Sequence, residues 1–269
     1  MFYVADVIMP NYSKPLTLTE ISVRRQRETL KNVLADWIRM LLLAGNDGVW
    51  SYSQQVEKVR NKCKALNELL ASTPKRILDK LIAPLVADIV GNISSYHKTF
   101  LGLKRIRKHA ETKHEAICTE MLKSVLGPFT RGYNTGTMSS FEQRLIIQTF
   151  NSTPNLEILV FDIAPGIDNS ALLANNIHHL QKLVSFQYNY RCADHVVQQL
   201  ALHCSRLSTI DVSNSRAVTD RSVQYLLKLH DLKVLDLTGT SVTERKYELL
   251  LSGLPNITKI HYSSSFCDF

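Results

Sequence analysis

His203-Cys204-Ser205-Arg206-Leu207-Ser208-Thr209-Ile210-Asp211-Val212-Ser213 is the stretch on which the fold turns. Within it Leu207, Ile210 and Val212 set out a pattern of apolar-x-x-apolar-x-apolar. The same pattern recurs as Leu156-Leu159-Phe161, Leu183-Phe186-Tyr188, Leu232-Leu235-Leu237 and Ile257-Ile260-Tyr262, with starting positions 27, 24, 25 and 25 residues apart. A fixed period of this length marks a stack of identical supersecondary units.

Each triplet reads as a short strand, because apolar residues two apart fall on one face. Between the triplets, apolar residues take helical spacing: Val196, Val197, Leu200 and Leu202, then Val223, Leu226, Leu227 and Leu229, then Tyr247, Leu249 and Leu250. Pro154-Asn155 and Gly253-Leu254-Pro255-Asn256 stop the helical stretches before two of the strands. One strand-plus-helix unit cannot bury its apolar side alone, so the units must stack. The expected fold is an α/β solenoid of about five parallel strands joined by right-handed βα repeats.

Around this pattern the sequence resembles the cysteine-containing leucine-rich repeats. Cys204 to Ser213 is similar to their CxxLxxLDLS core, and Val218-Thr219-Asp220 with Val223 and Leu226 is similar to their ITDxxLxxL segment. Val242-Thr243-Glu244 repeats that segment less closely. Such repeats occur in F-box leucine-rich proteins, Amn-type proteins and the zyg/zer-type receptors of Elongin–Cullin ligases. The resemblance spans about 120 residues and implies a surface that holds another protein.

Positions alternating with the buried ones should line the open side of the sheet. They are Ile158, Val160 and Asp162; Ser185, Gln187 and Asn189; Thr209, Asp211 and Ser213; Val234, Asp236 and Thr238; and Lys259 and His261. Asp162, Asp211 and Asp236 form an acidic stripe. Two readings stand: a partner-binding face, or solvated side chains with the aspartates filling the repeat's LDL slot.

The rest of the chain differs in kind. Residues 1–150 carry 22 Lys/Arg against 13 Asp/Glu, or +9, whereas residues 151–269 carry 10 against 11, or −1. This divides the chain into an N-terminal tail (1–14), a helical domain or cap (15–126), a linker loop (127–138) rich in Gly, Thr and Asn, and the repeat domain (139–269). In the helical part, Ile21, Leu30, Val33, Leu34, Trp37, Leu41 and Leu42 give one apolar stripe, which Gly45-Asn46-Asp47-Gly48 ends. Val56, Val59, Cys63, Leu66 and Leu70 give a second. Pro74 opens a third helix that Pro84 is expected to kink, and a fourth runs from about Leu101 to Leu122. Ser139-Ser140-Phe141-Glu142 has the form of a capping box.

Two short segments in this half carry a resemblance to ligase adaptor-binding motifs. Thr17-Leu18-Thr19-Glu20-Ile21-Ser22 resembles the start of the box by which von Hippel–Lindau-type receptors dock on Elongin C, with Leu18 as anchor and Ser22 in place of the usual cysteine. Pro74-Lys75-Arg76-Ile77-Leu78 is similar to the opening of an F-box, which docks on a Skp-type adaptor, and to the proline-led helix of zer-type proteins. The resemblance implies adaptor contacts by Leu18, Ser22, Pro74, Ile77 and Leu78. Plain amphipathic helices capping the solenoid account for the same residues.

The basic run Lys104-Arg105-Ile106-Arg107-Lys108-His109 fits a solvated helix face, a nuclear address or phosphate binding. No P-loop, GxGxxG, HExxH or GxSxG motif occurs, so neither an enzyme nor a cofactor is expected. The five cysteines are dispersed without CxxC pairing, which points to free thiols in cytoplasm or nucleus. No apolar run reaches membrane-span length, and no signal peptide is expected from the first residues. The resemblance implies substrate recognition in a cullin-type ubiquitin ligase, with Elongin B/C or a Skp-type protein as adaptor. A free-standing scaffold and a nucleic-acid-associated protein are the alternatives.

Overall fold

The computed structural model describes residues 17–47, 49–102, 108–163 and 168–263. Four long helices come first: α1 (Leu18–Asp47), α2 (Val49–Ala71), α3 (Lys75–Gly102) and α4 (Lys108–Lys123). Then follow β1 (Gly132–Met138), α5 (Ser140–Ile147), β2 (Ile158–Ile163), α6 (Ser170–Asn176), β3 (Ser185–Tyr188) and α7 (Asp194–His203). The chain closes with β4 (Thr209–Asp211), α8 (Asp220–Leu226), β5 (Val234–Asp236), α9 (Glu244–Gly253) and β6 (Lys259–His261). The fold is α/β: an open sheet of six parallel strands in the order β1-β2-β3-β4-β5-β6, with a helix after each of the first five.

Spacing explains the helices. In α1 the buried residues Leu34, Trp37, Ile38 and Leu41 recur at steps of three and four, and in α2 Tyr52, Val56, Val59, Cys63, Leu66 and Leu70 do the same. The stripe of α3 is wider, with Leu81, Ile82, Leu85, Val86, Ile89, Val90 and Ile93 all buried. A broad stripe needs cover on two sides. Accordingly α3 lies between α1 and the sheet, touching β1 and α5 as well. It runs through Pro84 without a break. Of the residues expected in a fourth helix, Leu101 lies in the last turn of α3, and Ile117, Met121 and Leu122 lie in α4. Most of the basic run, residues 103–107, and the tail 1–14 lie outside the described residues.

Register in the sheet follows the sequence pattern. Leu159 pairs with Phe186, Phe186 with Ile210, Ile210 with Leu235 and Leu235 with Ile260, so one row of side chains crosses five strands. Leu159, Phe186, Ile210 and Leu235 are fully buried, and Leu156, Leu183, Leu207 and Leu232 lie buried ahead of them. Only the last unit departs, because among the described residues no further unit covers Ile257 and Ile260, which stay half-buried.

The expected linker loop 127–138 is corrected by the structure, since it contains β1 and raises the strand number from five to six. Tyr133 occupies the inward slot against Leu159 and is buried, as is Thr130 in the position that Leu156 takes in the next unit. Threonine in an apolar slot hides the pattern from a search for aliphatic residues. Ser139 and Glu142 close the expected capping box at the start of α5, with Ser139 N–H donating to Glu142 Oε2 at 2.7 Å. The core runs continuously from the helices into the sheet.

Candidate functional site: the open face of the sheet

One face of the sheet packs on helices, and no helix of the described residues covers the other. Two rows of side chains line it. The first is Gly132, Ile158, Ser185, Thr209, Val234 and Lys259; the second is Asn134, Val160, Gln187, Asp211, Asp236 and His261. Ile158, Lys259 and His261 are exposed, whereas Val160, Ser185, Gln187, Thr209, Asp211, Val234 and Asp236 are half-buried. The side chain of Asp162 lies outside the described residues. Carboxylates, amides and hydroxyls at fixed strand spacing make a polar template suited to hydrogen bonding along an extended surface.

Alternation stops where the strands stop. Ser213, expected on the open face, is buried in the turn after β4, and Asn189 and Thr238 occupy the matching turns. Asp211 and Asp236, paired in register, each brace such a turn. Asp211 Oδ1 accepts from Ser213 N–H at 3.0 Å, and Asp236 Oδ1 accepts from Thr238 N–H at 2.9 Å. With its amide turned to satisfy both atoms, Asn189 donates to Asp211 Oδ1 at 3.1 Å and accepts from Gln187 Nε2 at 3.1 Å. Gln187, Asn189 and Asp211 thus form a preset polar line.

Beyond each turn one residue adopts a left-handed backbone: Tyr190 (φ 68°), Asn214 (φ 60°) and Gly239 (φ 70°). They stack, because Tyr190 N–H donates to the Ser213 carbonyl and Asn214 N–H to the Thr238 carbonyl. Glycine and asparagine tolerate this conformation; a bulky aromatic does not, and holding one there costs on the order of 1–2 kcal/mol. Tyr190 is nevertheless 58% exposed at the rim of the open face. Periodicity alone passes over this residue. Aligning the turns, rather than the strands, brings out a tyrosine where its equivalents are Asn and Gly.

A second pattern ties the units together. Asp194, at the start of α7, accepts from Thr219 N–H at 2.8 Å, Thr219 Oγ1 at 2.6 Å and Ser222 Oγ at 2.6 Å. One unit later Asp220 accepts from Thr243 N–H at 2.7 Å and from its hydroxyl. The Thr-Asp pair therefore clasps neighbours: the threonine reaches back one unit while the acid receives the next. Cys204 has a comparable part, its thiol donating to the Leu180 carbonyl at 3.3 Å. Burial pushes that thiol up to about 12, so it stays protonated and unreactive. Cys63, Cys118 and Cys192 are free and buried as well.

The candidate adaptor residues divide. α1 and α3 run side by side in the same direction, with Arg27 on Asp88 at 2.7 Å, so their starts share one end of the molecule. There Ser22 and Pro74 are exposed, Ile77 is half-buried and Leu78 is buried. Leu78 is buried, which corrects its expected place as an exposed adaptor contact. Leu18 begins α1, and its side chain lies outside the described residues. Thr17 and Glu20 form a capping box, with Thr17 N–H donating to Glu20 Oε2 at 2.8 Å and Glu20 N–H donating to Thr17 Oγ1 at 3.3 Å. Helix capping thus accounts for two letters of the box-like segment, while Ile21 and Ser22 remain on the surface.

Between the start of α3 and β1 opens a groove of about 680 Å³, which reaches the open face at Gly132, Asn134 and Ile158. Among the described residues no helix is long and apolar enough to cross a membrane. No family model matches the chain, and neither the curated proteins nor the solved structures give a match.

Proposed function

We propose that this chain is a non-enzymatic protein-binding module: a leucine-rich-repeat solenoid of the cysteine-containing type, capped by four helices, that recognises the substrate of a cullin-type ubiquitin ligase. The observation that carries the reading is the open face. Six parallel strands in sequential order present two ordered rows of side chains on a side that no helix of the described residues covers. Gln187, Asp211 and Asp236 are held there by hydrogen bonds, the first two through Asn189 of the adjoining turn, before any partner arrives, which lowers the ordering cost of binding.

Adaptor docking rests on the surface at the start of α1, where Ile21 is 49% exposed and Ser22 is exposed. Elongin C, with Elongin B and a cullin, is the adaptor this surface suits; a Skp-type adaptor has less support, because Leu78 of the F-box-like segment is core. The protein is isolated from cells as wild type, as Ser22→Trp and as Leu18→Asp, and bound Elongin C, Skp-type adaptor and cullin are quantified by mass spectrometry. Recovery of Elongin C with the wild type, lost in Ser22→Trp at unchanged Tm, supports the reading. A folded wild type that recovers neither adaptor removes the ligase and leaves a free scaffold.

A further inference from the structure

The groove between α3 and β1 has room for apolar side chains and the chemistry for an acidic surrounding. Its floor is apolar, made by Leu78 and Ile82 of α3, by the half-buried Phe129 and by Ile158, which is 46% exposed. One wall is the N-terminal end of a 28-residue helix. Lys75, Arg76 and Lys80 stand exposed there, against one carboxylate, Asp79, in the same six residues. On the opposite lip Arg131 binds Glu157 at 2.7 Å, so that acid is already matched. Glu20 reaches Lys80 only from a distance. The local balance is positive, and the dipole of a helix start adds to it.

Gly132 keeps the groove open. Its equivalents on the other five strands are Ile158, Ser185, Thr209, Val234 and Lys259, all with side chains. Nothing in the backbone demands glycine, since φ is positive at Gly239 but not at Gly132. A Cβ built on Gly132 meets only the Ile158 Cβ, at 3.8 Å, an ordinary contact. Packing would accept a larger residue. The missing side chain is what exposes Ile158 and joins the groove to the open face.

We propose that this groove docks a short segment of a partner protein in which a large apolar side chain is flanked by acidic residues. The side chain enters between Ile82, Phe129 and Ile158, and the flanking carboxylates lie over Lys75 and its neighbours. This inference rests on the reading of the chain as a protein-binding module and needs no ligase association, so failure to recover an adaptor leaves it intact.

The test uses the purified full chain and three fluorescein-labelled twelve-residue peptides. One carries leucine and phenylalanine three residues apart between glutamates, the second has lysines for the glutamates, and the third has alanines for the two apolar residues. Binding is read by anisotropy, and by methyl shifts of Ile82 and Ile158 with Ile210 as an internal control. The glutamate peptide should bind at least about tenfold more tightly than either other, a difference of ~1.4 kcal/mol. It should shift Ile82 and Ile158 but not Ile210. Gly132→Leu should weaken it by about tenfold or more at undiminished Tm, and Lys75→Glu should weaken it by a smaller factor that falls with added salt. Should Gly132→Leu not fold, Ile158→Glu, a change at an exposed position, serves the same purpose. Equal binding of the lysine peptide, unchanged affinity in the filled-groove variant, or no binding of the glutamate peptide at 1 mM overturns the proposal. So does self-association of the wild type that Gly132→Leu abolishes, which would assign the groove to a second copy.

Discussion

Asp194 and Thr219 sit 25 positions apart, and the carboxylate of the first receives both the backbone N–H and the hydroxyl of the second. Two successive units are joined there by charge-assisted hydrogen bonds at the start of a helix, where N–H groups otherwise lack partners. Asp194→Ala removes all three bonds and orphans a half-buried N–H. It should cost about 2–4 kcal/mol in urea unfolding. A double-mutant cycle with Thr219→Val should show strongly non-additive losses, whereas additive ones would mean the clasp is slack.

Leu235 lies mid-row in the buried side of the sheet, fully enclosed and paired in register with Ile210 and Ile260. Truncation to alanine should cost about 2–5 kcal/mol. The same change at Ile260, half-buried in the last strand, should cost less than half as much. Chemical denaturation of the two variants in parallel checks both figures, and equal losses would contradict the burial gradient.

Tyr190 offers a test with the opposite sign. Asparagine suits its left-handed backbone better, so Tyr190→Asn should raise stability by about 1 kcal/mol. The proposed recognition role of the open face predicts that partner binding weakens in the same variant. A destabilised Tyr190→Asn would show that the ring packs on its own turn.

His114 should make stability fall in acid. Burial, then the neighbouring His97, lowers its pKa to about 3 from the usual 6.5. His97 is itself lowered, by burial first and then by Arg144, while Glu115 and Glu142 pull it the other way. Between pH 6.5 and about 3 the unfolded chain binds a proton that folded His114 refuses, so stability is complete above that window and drains away as pH drops through it. His114 Nε2 lies 2.9 Å from His97 Nδ1, and Phe141 stacks on His97 at 3.6 Å. Protonation of both rings therefore places two cations in contact between α3 and α4. Thermal melts from pH 7.5 to 4 should show Tm declining below about 6.5, with a shallower slope in His114→Gln.

Much of the architecture was written in plain view. The 24-to-27-residue spacing of Leu156, Leu183, Leu207, Leu232 and Ile257 gave the strands and, through alternation, most of the open face. Its first strand stayed hidden because Thr130 and Tyr133 fill slots that the other units give to aliphatic residues or phenylalanine. Ser213 and Thr238 were misplaced because alternation holds only while the backbone stays extended, and Asp211 and Asp236 turn it within two residues. The clasp of Thr219 on Asp194 and the groove at Gly132 were illegible for another reason. Each depends on which residues 25 or more positions apart are brought together, and a single strand's pattern does not contain that information. Leu78 shows the same limit in reverse: its motif-like surroundings suggested a surface, and α3's double-sided burial made it core.

The strict order of strands from β1 to β6 also governs how the molecule comes apart under load. Each unit leans on its immediate neighbours, and the β6 unit, with Ile257 and Ile260 half-covered, has a neighbour on one side alone among the described residues. Tension applied at the C-terminal end in an optical trap should peel units one after another rather than rupture the whole at once. Each step should release roughly 25 residues, or about 80–90 Å of contour length, giving a sawtooth whose teeth grow taller toward the helices.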